Sequence, residues 1–120
     1  MNGAIGAYQR NAVVTQTRGR LVVLLYEGAI KFLDQAREEL AAGNFAAKGE
    51  YINRALAIIN ELDACIDLEK GGEVAANLRR LYHFMIHHLG EANIHRDPQR
   101  IQDVIDCLKD LSEGWKVITR

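Results

Sequence analysis

Glycine and proline interrupt this 120-residue chain only at wide intervals, and the intervals are filled by apolar residues recurring every three or four positions. Proline occurs once, at Pro98. Strand-like alternation is absent. A period near 3.6 makes each interval a helix with one buried face, so the chain reads as all-α before any single residue is given a role. At 13.5 kDa and 48% apolar residues, it has the size and composition of one domain around one core.

The first amphipathic stretch covers 17–42, with Leu21, Leu25, Gly28, Ala29, Phe32, Ala36 and Leu40 on one face. Thr17 is placed to cap it, since a hydroxyl can accept from an unpaired backbone N–H. Gly43 is placed to end it, because glycine enters the left-handed conformation without a Cβ clash. Asn44 is the expected cap of a second helix over 45–68, which carries Phe45, Gly49, Ile52, Leu56, Ile59, Leu62 and Ile66. Gly71 and Gly72 then break the chain. A third helix over 73–95 turns Val74, Leu78, Leu81, Met85, Leu89 and Ala92 inward. Asp97 and Pro98 suit the cap and first position of a fourth, over 98–116, that buries Ile101, Val104, Ile105, Leu108, Leu111 and Trp115. Helices of similar length with short connections reverse direction each time, which predicts an antiparallel up-down four-helix bundle over 17–120. Residues 1–16 fall outside the pattern and read as a loosely docked N-terminal arm.

Chemistry is sparse. All four histidines fall between residues 83 and 95, and His83, His87, Glu91 and His95 stand four apart. His83 and His87 could clamp one ion. The whole row could not, because residues eight apart on a helix are separated by about 12 Å. HExxH is missing, and so are the paired ExxH motifs of a di-iron bundle. On a helical wheel Arg79, Arg80, His83, His87 and Glu91 share the solvent face, with His88 at the core edge. Cys65 and Cys107 form no CxxC and read as reduced thiols. The chain has no phosphate loop, and its only serine, Ser112, has no orienting base in its pattern. Neither a catalytic site nor a cofactor is expected. The net charge of −1 lacks the basic excess of a nucleic-acid binder. No apolar run reaches the ~20 residues that cross a bilayer, and no signal core opens the chain, so the expected location is cytoplasmic.

What stands out is surplus apolar surface. A bundle helix needs about three apolar positions in seven. The first helix adds a second flank of Val23, Tyr26, Ile30 and Leu33. The second adds Tyr51, Ile58 and Cys65 beside Leu62, and the third adds Tyr82, Phe84, Ile86 and Ile94. Such flanks fit either a wide core or homodimer face, or grooves that await an amphipathic segment of another protein. Val23, Tyr26, Ile30, Tyr51, Ile58, Leu62, Tyr82 and Ile86 are the candidate partner-binding residues, with Ile5 and Tyr8 of the arm.

The runs "LLYEGAIKFLDQA", "INRALAIINELDACIDLEKGGEVAANLRRLYHFMIHHLGEAN" and "LKDLSEGWK" resemble the FliS family of flagellar secretion chaperones. The resemblance extends over nearly the full length, and the GGE-x-A-x-NL-x-x-LY run is its most specific part. Arg18, Gly19 and Arg20 stand where that family more often has a proline and a lysine. The resemblance implies a cytoplasmic chaperone that binds the disordered C-terminal segment of flagellin, prevents its premature polymerisation and delivers it to components of the flagellar export gate. The residues alone give a helical binding module. They leave open a metal- or redox-handling bundle built on His83 and His87, and a structural homodimer.

Ile5 and Tyr8, three apart, would share one side of a helical turn. They are expected to dock in a groove of the free protein and to be displaced by the tail. Deleting residues 1–14 should then tighten binding of a tail segment that shares that groove, because the tail no longer competes with the arm. It should also make the free protein more prone to associate. Calorimetry and sedimentation of the truncated chain check both, and unchanged affinity with unchanged solution mass would remove the idea.

Overall fold

The computed structural model describes the backbone of residues 3–118 and the side chains of residues 19–117. Its helices are α1 (Gly3–Ala41), α2 (Phe45–Ala64), α3 (Leu68–His95) and α4 (Pro98–Ile118). α1 and α3 each pack against both α2 and α4, and among the described residues neither diagonal pair makes backbone-level contact. The connections at 42–44, 65–67 and 96–97 are too short to do anything but reverse the chain. The result is the expected four-helix bundle.

Several helix ends differ from the sequence reading. α1 does not start at Thr17: its backbone is helical from Gly3, so Thr17 lies inside the helix. Residues 3–16 contain no proline and several alanines, and the ~1 kcal/mol cost of each glycine weakens a helix without ending it. The side chains of Ile5 and Tyr8 lie outside the described residues, and so does their expected docking. At about 1.5 Å per residue, the 39 residues of α1 span nearly twice the length of α2 and account for the 64 Å long axis of the molecule. Asn44 does not cap α2 through its side chain, which donates instead to Glu39 Oε2 at 2.8 Å. Its backbone carbonyl accepts the first helical bond, from Lys48 N. α2 ends four residues early, at Ala64, because Asp67 has become the cap of α3: its Oδ1 accepts from the N–H groups of Glu69 and Lys70, both at 3.1 Å. The expected glycine break survives inside α3 as a single non-helical residue, Gly72 (φ 55, ψ −130). Gly43 ends α1 at φ 80 and Asp97 caps α4 by accepting from Gln99 N, both as read from the sequence.

The buried columns follow the helical period. They are Tyr26, Ala29, Leu33 and Ala36 on α1, and Ile52, Ala55, Ile59 and Leu62 on α2. α3 contributes Ala75, Tyr82, Met85, Leu89 and Ala92, and α4 contributes Ile101, Val104, Ile105 and Leu108. Two of these columns are turned from their expected positions. On α1 the centre of the buried face is Tyr26 and Leu33, while Leu21 is half exposed. On α3 Tyr82 takes the place expected of Leu81, and Val74 is 70% exposed. A helix with two neighbours buries a broad face, and its middle points across the diagonal, where the largest side chains fit.

One core position is charged. Lys48 continues the α2 column one turn before Ile52, at 4% exposure. Its ammonium donates to the backbone oxygen of Asn93 at 3.0 Å and to Asn93 Oδ1. The Asn93 carbonyl belongs to the last turn of α3, where carbonyls lack intrahelical partners and the helix dipole is negative. The lysine thereby caps one helix from the flank of another. Burial, and then the nearby Arg96 charge, push it below the ordinary lysine range.

The diagonal is bridged by one polar contact, between the hydroxyls of Tyr26 and Tyr82 at 2.5 Å. The Tyr26 hydroxyl also accepts from the Trp115 indole. Tyr26→Phe therefore takes the partner from the buried Tyr82 hydroxyl and one acceptor from the Trp115 indole, whereas Tyr82→Phe leaves Tyr26 still bonded to Trp115. A buried polar group stripped of its partner costs about 1–3 kcal/mol. Urea denaturation should show Tyr26→Phe to be the more destabilising single change, and the double variant should cost less than the sum of the two. Strict additivity would mean that the two hydroxyls do not interact.

Candidate functional site

An apolar recess lies at the end of the bundle where α2 turns into α3. It is a groove of about 410 Å³. Its floor and far walls are Val22 of α1, Leu62 near the end of α2, Val74, Ala75, Leu78 and Tyr82 of α3, and Trp115 of α4. Its near rim is the α2 to α3 connection with the first turn of α3, which contributes Cys65, Ile66, Asp67, Lys70 and Gly71. All four helices thus contribute, and the lining is mostly hydrocarbon.

Local sequence explains the opening. α2 stops at Ala64, and regular α3 resumes only after Gly72, so two of the four helices fall short at this end. Val22 and Trp115 continue on α1 and α4 and line the groove across from the connection. The end of α2 is held to α3 by Asp63, whose two carboxylate oxygens accept from Arg79 Nε at 3.3 Å and His83 Nε2 at 3.1 Å. The floor is held by the tyrosine pair. Burial raises the Tyr26 phenol above its usual range. Burial, and then the hydrogen bond to Tyr26, raise Tyr82 further. The groove therefore ends on Tyr82, whose neutral hydroxyl is already bonded to Tyr26 behind it, so a docking apolar side chain can cover it without stranding a polar group.

The ten residues singled out from sequence divide into groups. Tyr26, Leu62 and Tyr82 lie in the core at 0%, 6% and 3% exposure, and of these Leu62 and Tyr82 floor the groove. Tyr51 and Ile58 help seal the outer seam between α1 and α2. The Tyr51 ring stacks on Phe32 with centroids 6.4 Å apart, beneath the Arg54 guanidinium, and Ile58 Cδ1 comes within 3.6 Å of where a Cβ on Gly28 would stand. Ile30 and Ile86 are half-buried against the core, and Val23 is partly exposed. Ile5 and Tyr8 lie outside the described side chains. The structure does not gather these ten into one surface. The groove instead uses Val22, Ile66, Val74, Leu78 and Trp115, four of which the periodicity had placed simply in the core. The double glycine was the available signal, since it marks where α3 loses its first turn and the core loses its cover.

The histidines face carboxylates. His88 Nε2 lies 2.9 Å from Asp103 Oδ2 on α4, His95 Nε2 lies 3.0 Å from Glu91 Oε2, and His87 is 4.0 Å from the other Glu91 oxygen. Among the described residues no three histidine, cysteine or acidic side chains converge on a possible ion. No described helix is long and apolar enough to cross a membrane.

A family model described as "Flagellar protein FliS" matches residues 1–120. Similar proteins include the flagellar secretion chaperone FliS of Salmonella typhimurium, 42% identical over 91% of this chain and 82% of that one. The flagellar secretion chaperone FliS of Vibrio cholerae is 36% identical over 98% of this chain and 90% of its own. The flagellar secretion chaperone FliSB of Pseudomonas aeruginosa is 36% identical over 97% and 95%.

The two raised phenols set an upper pH limit. Both ordinary tyrosines would titrate near 10. Below that pH neither the folded nor the unfolded chain ionises them, and their contribution to stability is fully present. Above it the unfolded chain releases both protons while the bundle retains them, so stability falls as pH climbs towards the folded values. Melting temperature should hold up to about pH 10 and drop beyond it, and Tyr82→Phe should flatten the drop. An alkaline limb identical in wild type and variant would place its cause elsewhere.

Proposed function

Because the chain belongs to the FliS family of flagellar secretion chaperones, we propose that it acts in the cytoplasm on flagellin, binding the disordered C-terminal segment and keeping it from polymerising before export. The observation that carries this is the apolar groove, which all four helices line and in which Val74 stands 70% exposed. The segment would dock as a helix with one apolar face in the groove, and would pass to components of the export gate by competition. No nucleotide is needed for such a handover.

Magnitudes decide how much of the tail must be engaged. A groove of about 410 Å³ takes roughly two or three leucine-sized side chains, judged against the ~150 Å³ cavity that accepts benzene. Burying them yields about 1.5–3 kcal/mol each. Ordering a disordered segment costs about 2–5 kcal/mol, and association costs at least ~4 more. The groove alone therefore gives little net affinity. The tail must also cover neighbouring surface, for which Leu21 and Leu24 of α1 and Val117 of α4 are available at 52%, 60% and 65% exposure. These three stand within two residues in sequence of Val22 or Trp115, which line the groove.

Calorimetry with the cognate flagellin C-terminal peptide should show one-to-one binding, and circular dichroism of the mixture should show more helix than the sum of its parts. Val74→Asp should weaken that binding at least tenfold, since the carboxylate must be desolvated without a partner when the tail docks. Its melting temperature should stay near that of wild type, because the side chain is mostly in solvent. Absence of any binding to the cognate tail would overturn the assignment. Unaltered affinity in Val74→Asp would move the site away from the groove.

A further inference from the structure

The near rim of the groove is built differently from its other walls. Residues 65–72 contain one short helical turn, 68–71, closed by the bond from Gly71 N to the Asp67 oxygen at 2.9 Å and by the Asp67 cap. That turn is separated from the rest of α3 by Gly72, at φ 55 and ψ −130, a backbone region that side chains with a Cβ avoid. At the other end, Cys65 leaves α2 at φ −86 and ψ −2, outside regular helix. The supports on either side are fixed. Asp63 ties the end of α2 to Arg79 and His83, and Ala75 begins the buried column of α3. Between them the turn touches α3 closely at one point, where a Cβ on Gly71 would stand 2.5 Å from Ala75 Cβ. Leu68 and Val74, flanking the two glycines, are 45% and 70% exposed.

A rigid turn with irregular backbone at both ends, lying along an apolar groove, has the mechanics of a strap. We propose that residues 65–72 swing about Gly72 to close over two or three consecutive apolar side chains of a helical partner segment seated in the groove. The occupant is the flagellin tail, so the inference rests on the function proposed above. Closure turns Leu68 onto the segment, opposite Val74, which already lines the groove, and gives an open groove the cover that a bound apolar face requires. Gly71 lets the turn lie close against α3, because a Cβ there would already stand 2.5 Å from Ala75 Cβ in the open groove and would push the turn, and with it the strap, out of place.

Cys65 stands on the rim, exposed, and reports the closed state directly. In a Cys107→Ser background, iodoacetamide alkylation of Cys65 should slow at least tenfold when the cognate tail peptide is saturating. Gly71→Ala should weaken tail binding at least tenfold, and adding Ala75→Gly, which removes the colliding atom, should restore it. A tail that binds while Cys65 reacts at its free rate overturns the strap, and so does Gly71→Ala binding as well as wild type. A loss that Ala75→Gly does not reverse reflects damage to the fold, and the alkylation result then decides. If the unaltered chain binds no tail at all, the proposed function falls and the strap falls with it.

Discussion

Tyr26 and Tyr82 meet across the diagonal of the bundle, on helices that otherwise have no direct backbone-level contact. Adjacent helices in a bundle can rotate about their own axes and still find apolar partners, because hydrophobic contact is non-directional. A hydroxyl pair inside a core cannot. Rotating either helix by one position strands a buried polar group, and Tyr26 additionally serves the Trp115 indole. The pair therefore sets the facing of α1 and α3 together and ties α4 to both. Val74 and Leu81 turn outward as a consequence, and Tyr82 becomes the floor of the groove.

The other polar contacts act along the seams. α3 is joined to α2 by Asp63 with Arg79 and His83, and by Lys48 with Asn93; it is joined to α4 by His88 with Asp103 and by Glu91 with Arg100. Exposed ion pairs of this kind are worth little in stability, about 0–1 kcal/mol, so they do not hold the bundle together. They constrain how far one helix slides along the next. The most sheltered is the Lys48 contact, in which a charge at a core position is tolerated because it satisfies a helix-terminal carbonyl. The pairing of Asp103 with His88, and then Gln99, keeps that carboxyl below the usual range, which marks a settled partnership. The histidine row on α3, suggestive of an ion site as a string of letters, is thus spent on carboxylates of three helices.

Much of the fold was legible because helical periodicity and glycine or proline punctuation are local signals. Gly43, Asp97, Pro98 and the Gly72 break behave as local rules require. Thr17 and Asn44 failed for a common reason: a capping residue caps only where the helix starts, and the start depends on competition from flanking residues. The α1 helix runs on from Gly3, and Asn44 found Glu39. Tyr26 and Tyr82 were read as outer flanks because they lie beside the stripes of Leu21, Leu25 and Phe32 and of Leu78, Leu81 and Met85 taken as the buried faces. Their burial depends on each other, fifty-six positions apart, and no periodicity in either helix contains that information. The groove was illegible for a related reason. The sequence shows which residues are apolar, but not where four helices of unequal length leave a core uncovered.

That inequality of length links stability to function here. The middle of the bundle, from Ile52 to Ile59 on α2 with Met85, Leu89, Ile101 and Ile105, is fully buried. At the α2 to α3 end the same apolar columns continue on α1 and α4 while α2 and α3 give way to a capped turn and two glycines. Filling that gap with an extra helical turn would complete the core and stabilise the bundle, but it would leave nothing for a partner to complete. A chaperone that must hold a segment and then release it needs a site whose occupation is favourable without being part of its own folding. Confining the incompleteness to one end, beyond the tyrosine pair, leaves the groove uncovered while the buried middle keeps the four helices in register.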